Sequence, residues 1–326
     1  ALTDVPITVS GLGTVQALNS VLIRARVDGM LMEVAVAEGQ SVKPGDLIAV
    51  IDPRPYKAAL DQSMANQQQD EAQLTNATRD LARYGSLIKQ DFASHQQYDT
   101  QQAQVAKLTA AIAGDKAAVE AAQLNLSYCY ITSPIPGRVG LRLVDPGNMV
   151  HAADPTGIIS IAQDKPITVV FTLPEQDLPA ITKAMAEGRL PVTALSGDDK
   201  TELDHGVLLT PDNSIDQTTG TIKLKASFPN PNDSLWPGQF VDTHLLLGIE
   251  HQAITVPPDA VQHGPAGLYV YVIRSDSTVV RKAVESYQQG NVAVITKGLQ
   301  PGEEVVLAGQ SRLDDGVRVT VEQPQA

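Results

Sequence analysis

The chain has 326 residues, which at ~150 residues per domain predicts about two domains. Its 43% hydrophobic content supports a packed core and argues against wholesale disorder. Thirty-seven acidic residues against 24 basic ones leave a formal charge of −13, which excludes a nucleic-acid binder working through a basic face.

In chain order, Val5 to Val15 reads as a strand with no local partner, expected to pair with a later segment. Val21, Ile23, Ala25 and Val27 alternate with Leu22, Arg24, Arg26 and Asp28, the pattern of a half-buried strand. Gly29, Gly39, Pro44-Gly45-Asp46 and the apolar strand Leu47–Ile51 follow. No proline then occurs between Pro55 and Pro134, and the stretch is rich in the helix formers Ala and Gln. Leu60, Gln67, Leu74, Leu81 and Ile88 recur every seven residues, with Ser63, Asp70, Ala77 and Tyr84 at the complementary positions. After a break near Asp91 the pattern resumes as Tyr98, Val105, Ile112, Val119 and Leu126, with Gln101, Leu108, Asp115 and Ala122 as partners. This predicts an antiparallel helical hairpin with arms roughly 50 Å long. Gln67, Asp70, Gln101 and Asp115 dilute its seam, so the hairpin is expected to pack laterally on copies of itself.

Beyond the hairpin the earlier order returns. Gly29 and Gly137, Gly39 and Gly147, Val42 and Val150, and Asp46 and Asp154 are each 108 residues apart. The hairpin is thus inserted between the halves of an internal repeat. From Pro166 to Gly248, short strands at Ile167–Leu173, Val192–Leu195, Gly206–Leu209, Gly220–Phe228 and Gln239–Leu247, with one short helix at Pro179–Gly188, predict a small barrel. A second strand-rich segment runs from Ile254 to Val321. Linkers are expected around Pro53 to Pro55, Asp164 to Pro166 and Gly248 to Gln252.

The segments Glu38-Gly39-Gln40-Ser41-Val42-Lys43-Pro44-Gly45-Asp46-Leu47 and Ile51-Asp52-Pro53 resemble a lipoyl/biotinyl half-motif. A helical insert occupies the place where such a domain carries its modified lysine. That arrangement, with Pro174-Glu175-Gln176-Asp177-Leu178, Asp216-Gln217-Thr218-Thr219-Gly220-Thr221-Ile222 and Trp236-Pro237-Gly238-Gln239-Phe240-Val241, resembles the membrane fusion proteins, the periplasmic adaptors of tripartite efflux pumps. Within them it is most similar to the MdtA-like adaptors of resistance-nodulation-division pumps.

The resemblance implies a mostly β chain with a long α-helical hairpin, an elongated multi-module adaptor. Its modules would be the coiled-coil hairpin (55–127), a lipoyl-like domain in two halves (20–54 with 128–163), a β-barrel (11–19 with 164–249) and a membrane-proximal β domain (1–10 with 250–326). It implies partners on both sides: an inner-membrane proton-driven transporter and a TolC-like outer-membrane channel, with self-assembly into a hexamer or trimer of dimers. The expected location is the periplasm of a Gram-negative bacterium, at the inner membrane.

Arg83, Leu87 and Ser94 have the spacing Arg-x3-Leu-x6-Ser, which resembles the docking motif for TolC-like channels. Arg83 and Leu87 are i and i+4 and share a helix face off the seam. The plainer alternatives are a capping box at Ser94-His95-Gln96-Gln97 and a solvated Arg83 beside Asp80.

Nothing predicts an enzyme or a cofactor. No nucleophile elbow or phosphate loop is present, and Gly11 with Gly13 is too short for one. Lys57 reads as a surface helix lysine rather than a lipoyl or biotin acceptor, which disfavours a carrier-enzyme subunit. The same scaffold in metal export or secretion is the other alternative, disfavoured because no two of the six histidines have zinc spacing. Met30 and Met32 are expected in the core, and Cys129 as a buried small hydrophobe. The single cysteine excludes an internal disulfide, and no apolar run approaches the ~18 residues of a membrane span. No signal peptide is visible at Ala1, so the chain reads as a mature or trimmed form.

Overall fold

A computed structural model describes residues 2–197, 200–265 and 267–320. Ala1 and residues 321–326, part of the expected last module, lie outside them. The chain forms two compact units, residues 17–164 and residues 1–16 with 165–326.

Strand β1 (Leu2–Ala17) opens the chain and belongs almost wholly to the second unit. The first unit then runs β2 (Ser20–Ile23), β3 (Gly29–Val34), β4 (Ser41–Val42), β5 (Leu47–Ile51), α1 (Arg54–Ile88), α2 (His95–Tyr128), β6 (Tyr130–Thr132), β7 (Gly137–Arg142), β8 (Met149–Val150) and β9 (Ile159–Ala162). Strands β3 and β7, and β4 and β8, lie at the repeat offset of 108 residues.

The halves are interlocked rather than side by side. One sheet has the order β2-β9-β7-β4 and the other β6-β5-β3-β8, so each draws two strands from each half. Exchanging β2 with β6, β3 with β7, β4 with β8 and β5 with β9 turns one order into the other. The hydrogen bonds obey the same exchange. Gly39 N donates to Val139 O at 2.9 Å, and Gly147 N donates to Leu31 O at 2.7 Å. Asp46 accepts from Lys43 N at 2.7 Å, and Asp154 accepts from His151 N at 3.0 Å. Both glycines have positive φ, 78° and 92°, which explains why this residue type recurs there. Between the sheets Leu31, Ile48, Ile51, Ile158, Ile159 and Ile161 are fully buried. Cys129 joins them, and burial raises its thiol pKa, so it acts as a small hydrophobe.

Every heptad position read from the sequence is buried or half-buried in the hairpin, and Leu60, Ala77, Leu108 and Ile112 are the most enclosed. The polar seam positions find different fates. Gln101 donates across the seam to Ala77 O at 3.0 Å. The Oδ2 atom of Asp115 is buried with no hydrogen-bond partner among the described residues. At the base of α1, Asp52 accepts from the Arg54 side chain at 2.7 and 2.9 Å and from its backbone N–H, and its pKa falls to about 2. Lys57 sits exposed in the first turns of that helix, its N–H bonded to Pro53 O.

The second unit contains β10 (Ile167–Pro174), α3 (Leu178–Glu187), β11 (Pro191–Leu195), β12 (Glu202–Asp216), β13 (Thr221–Phe228) and β14 (Phe240–Val256). The order β1-β10-β13-β12-β11-β14 closes on itself because β14 also pairs with β1, giving a six-stranded barrel. Phe171, Leu173, Leu224 and Phe228 fill it, and Ile181 of α3 enters the same core. Gly11 and Gly13 allow close packing on β10: a Cβ would lie 2.4 Å from Thr172 O at the first and 2.7 Å from Val169 Cγ1 at the second. The Asp216–Gly220 and Trp236–Gln239 motifs are turns, with Gly220 and Gly238 at φ 63° and 90°.

The expected linker at Gly248 to Gln252 is overturned. These residues lie inside the 17-residue strand β14, which pairs with β1 from Phe240 to Ile254. The ladder absorbs their irregular sequence as a bulge between Thr3 and Val5, where Asp4 accepts from Gln252 N at 3.0 Å. Strands β15 (Gln262–Gly264), β16 (Gly267–Ile273), β17 (Val279–Ala283) and β20 (Glu304–Val305) make one further sheet. Strands β18 (Glu285–Gln289) and β19 (Val292–Lys297) extend the barrel sheet from β14.

Candidate functional site

The tip of the hairpin is closed by two local motifs back to back. Helix α1 ends as Asp91 turns to φ 55°, with Asp91 N bonded to Ile88 O at 3.1 Å and Phe92 N bonded to Leu87 O at 3.0 Å. This is a Schellman ending with Asp91 in the place usually taken by Gly. Helix α2 begins with a complete capping box. Gln97 N donates to Ser94 Oγ at 3.3 Å and Ser94 N donates to Gln97 Oε1 at 3.1 Å. Six residues therefore reverse the chain, with both helix ends closed by local hydrogen bonds.

Arg83 is 72% exposed and forms an ion pair with Asp80 at 3.1 Å. Such a pair contributes about 0–1 kcal/mol, too little to withhold the guanidinium from a partner. Leu87 is half-buried beside the seam residue Ile88, one turn beyond Arg83. Ser94 is exposed and is the cap itself. The three residues thus occupy one end of the hairpin. The structure adds Phe92, 77% exposed between Leu87 and Ser94. Sequence reasoning missed it because a single Phe in a polar turn carries no periodic signal.

The cap is testable alone. Ser94→Ala costs about 1 kcal/mol, and Ser94→Thr recovers most of it. Thermal unfolding followed by helical circular dichroism measures this, and an unchanged midpoint for the Ala variant contradicts it.

Among the described residues no three His, Cys, Asp or Glu side chains converge as a metal site, and no helix is long and apolar enough to cross a membrane. The expectation for Met30 and Met32 is corrected: Leu31 takes the core position at 0% exposure, while Met32 is 46% exposed. Strand alternation about the buried Leu31 puts Met30, half-buried, and Met32 together on the opposite face.

A coiled-coil hairpin inserted between interlocked half-motifs, in one chain with a six-stranded barrel, is a multi-module adaptor fold. Three family descriptions match it: "RND MFP, barrel-sandwich hybrid domain" over residues 19–162, "RND MFPs, beta-barrel domain" over 166–249, and "RND MFPs, C-terminal permuted SH3 domain" over 252–312. "Multidrug resistance protein MdtA" of Erwinia amylovora is 48% identical over 99% of this chain and 80% of its own length. Its Escherichia coli counterpart is 44% identical over 99% of this chain and 78% of its own. Among solved structures, a MacA–MexA chimera carrying the Pseudomonas aeruginosa MexA α-hairpin superposes with TM-score 0.58 at 28% identity, covering 79% of this chain and 87% of the chimera. MacA from Actinobacillus actinomycetemcomitans shares the fold at TM-score 0.57 and 21% identity, over 94% of this chain and 97% of its own. The chain belongs to the membrane fusion proteins of resistance-nodulation-division pumps, on the MdtA-like branch. This is a non-enzymatic family.

Proposed function

We propose that this chain is the periplasmic adaptor that couples an inner-membrane, proton-driven transporter to a TolC-like outer-membrane channel for drug efflux. The observation that carries the reading is the hairpin tip. It is closed by its own hydrogen bonds and presents Arg83, Leu87, Phe92 and Ser94 to a partner. An arginine supplies donors for carbonyls and carboxylates, and the apolar pair supplies the area a docking surface needs. The name shared by the curated relatives supports drugs as the cargo of the pump.

In this reading the chain works as four modules: hairpin, lipoyl-like domain, barrel and membrane-proximal domain. The adaptor stands in the periplasm of a Gram-negative bacterium, attached at the inner membrane, with the last module toward the transporter. Copies assemble as a hexamer or trimer of dimers, and the polar residues that dilute the hairpin seam, Gln67, Asp70, Gln101 and Asp115, leave the hairpin marginal alone and so support lateral packing between copies. Deleting the gene in its native host and restoring it tests the role. Lower inhibitory drug concentrations in the deletion strain, reversed by the wild-type chain, are expected. Unchanged susceptibility across a broad drug panel, in cells lacking redundant pumps, overturns the reading.

A further inference from the structure

A cavity of about 550 Å³ lies in the first unit beside the end strands of its two sheets. Strand β2 ends one sheet and β6 ends the other, and the two strands are partners in the repeat exchange. The lining follows that exchange. Leu22 and Tyr130, Arg24 and Thr132, and Arg26 and Pro134 all border the cavity, and each pair is 108 residues apart. The repeat is broken in its side chains, however. Both cations come from the first half, and Thr132 and Pro134 hold their places in the second.

The Arg26 guanidinium stands over the ring of Tyr128, 5.3 Å from its centroid, a cation–π contact that orients it at the cavity wall. No acidic residue lines the cavity, and neither Arg24 nor Arg26 has an ion-pair or hydrogen-bond partner among the described residues. Asp28, the nearest acid along the chain, accepts from Ala152 N at 2.8 Å instead. Acids outnumber bases 37 to 24 in this chain, yet they leave these two cations unneutralised. Charge on an edge strand guards it against pairing with other chains, but that duty needs neither a cavity nor a tyrosine under the guanidinium. The volume falls within the roughly 300–1,000 Å³ of small-ligand pockets, and apolar side chains with a few placed polar groups are the usual lining of one. Leu22, Tyr128 and Tyr130 supply flat and apolar surface, and the two guanidinium forks match a carboxylate or sulfonate. We infer that this cavity binds a small amphipathic organic anion, its apolar body against Leu22 and the tyrosines and its charged group on Arg24 and Arg26. The site is distinct from the hairpin tip and does not depend on which transporter or channel the chain serves.

Calorimetric titration of the full chain with 2-naphthoate and with 2-naphthalenesulfonate tests this. One equivalent of each anion binds with a Kd of about 100 µM or tighter, and uncharged 2-naphthol binds at least ~10-fold more weakly. Arg24→Gln with Arg26→Gln, both at exposed positions, weakens the two anions by ~10-fold or more and leaves 2-naphthol unchanged. Arg26→Gln alone shifts binding in the same direction should the double variant fail to fold. Naphthol bound as tightly as the anions, anion binding unaffected by the arginine variants, or no binding at millimolar ligand overturns the site. Drug susceptibility does not enter this test, so its failure leaves the adaptor reading untouched.

Discussion

Arg83→Asp and Leu87→Asp each abolish drug efflux while the protein still folds, is expressed and is exported. Arg83 is held by nothing stronger than an exposed ion pair with Asp80, so its loss costs the isolated protein about 1 kcal/mol or less. Leu87 is half-buried at the end of a helix whose backbone is fixed by Asp91 and Phe92. In the proposed docked state, an aspartate at either position sets a carboxylate in place of the cation or apolar surface offered to the channel. Buried at a docked interface, that exchange costs about 2 kcal/mol or more, roughly thirtyfold in affinity, and more when the tip repeats around an assembly. Drug susceptibility in cells relying on this pump is the readout, with circular dichroism and expression as controls. Wild-type resistance in both variants contradicts the docking role.

Asn230→Leu destabilises the second unit by about 3–5 kcal/mol, the largest stability loss expected from a single side chain outside the apolar core. Asn230 is fully buried at φ 52°, in the left-handed region that a branched residue resists. Its side chain donates to Leu235 O at 2.9 Å and accepts from Leu235 N at 3.0 Å, while its own N–H donates to Asp204 Oδ2 at 2.7 Å. It clips the loop between β13 and β14 shut, just before the Trp236–Gln239 turn. Leucine strains the backbone and orphans both groups of Leu235. Asn230→Gly removes only the side-chain bonds and is expected to cost about half as much. Urea titration of the two variants separates the backbone from the hydrogen-bonding contribution. A leucine variant within about 1 kcal/mol of the parent, inside the range of ordinary surface changes, contradicts this account.

Much of the architecture was legible in the sequence because it rests on periodicity. Heptad spacing located the hairpin seam residue by residue, and the offset of 108 located both halves of the repeat. What escaped depends on register and on local backbone choices. That the half-motifs exchange strands is invisible in a repeat, which says that two segments are alike and not how they pair. Gly248 to Gln252 reads as a linker because it combines Gly with Glu, His and Gln, yet the β1 ladder carries it through a bulge. Asp91 does the work of a helix-ending glycine, so the Schellman turn gave no glycine signal. The spacing singled out Arg83, Leu87 and Ser94 as docking candidates and Ser94 as a cap; the structure shows the cap and places all three at one end of the hairpin, whereas Phe92 required coordinates.

Photocrosslinking from the hairpin tip in intact cells tests the central claim most directly. A benzophenone amino acid at Ser86, exposed on the last turn of α1, should trap an outer-membrane channel protein, whereas the same probe at Lys57, at the base of that helix, should not. Tip adducts confined to the adaptor itself or to the inner-membrane transporter, with no channel among them, would contradict the account.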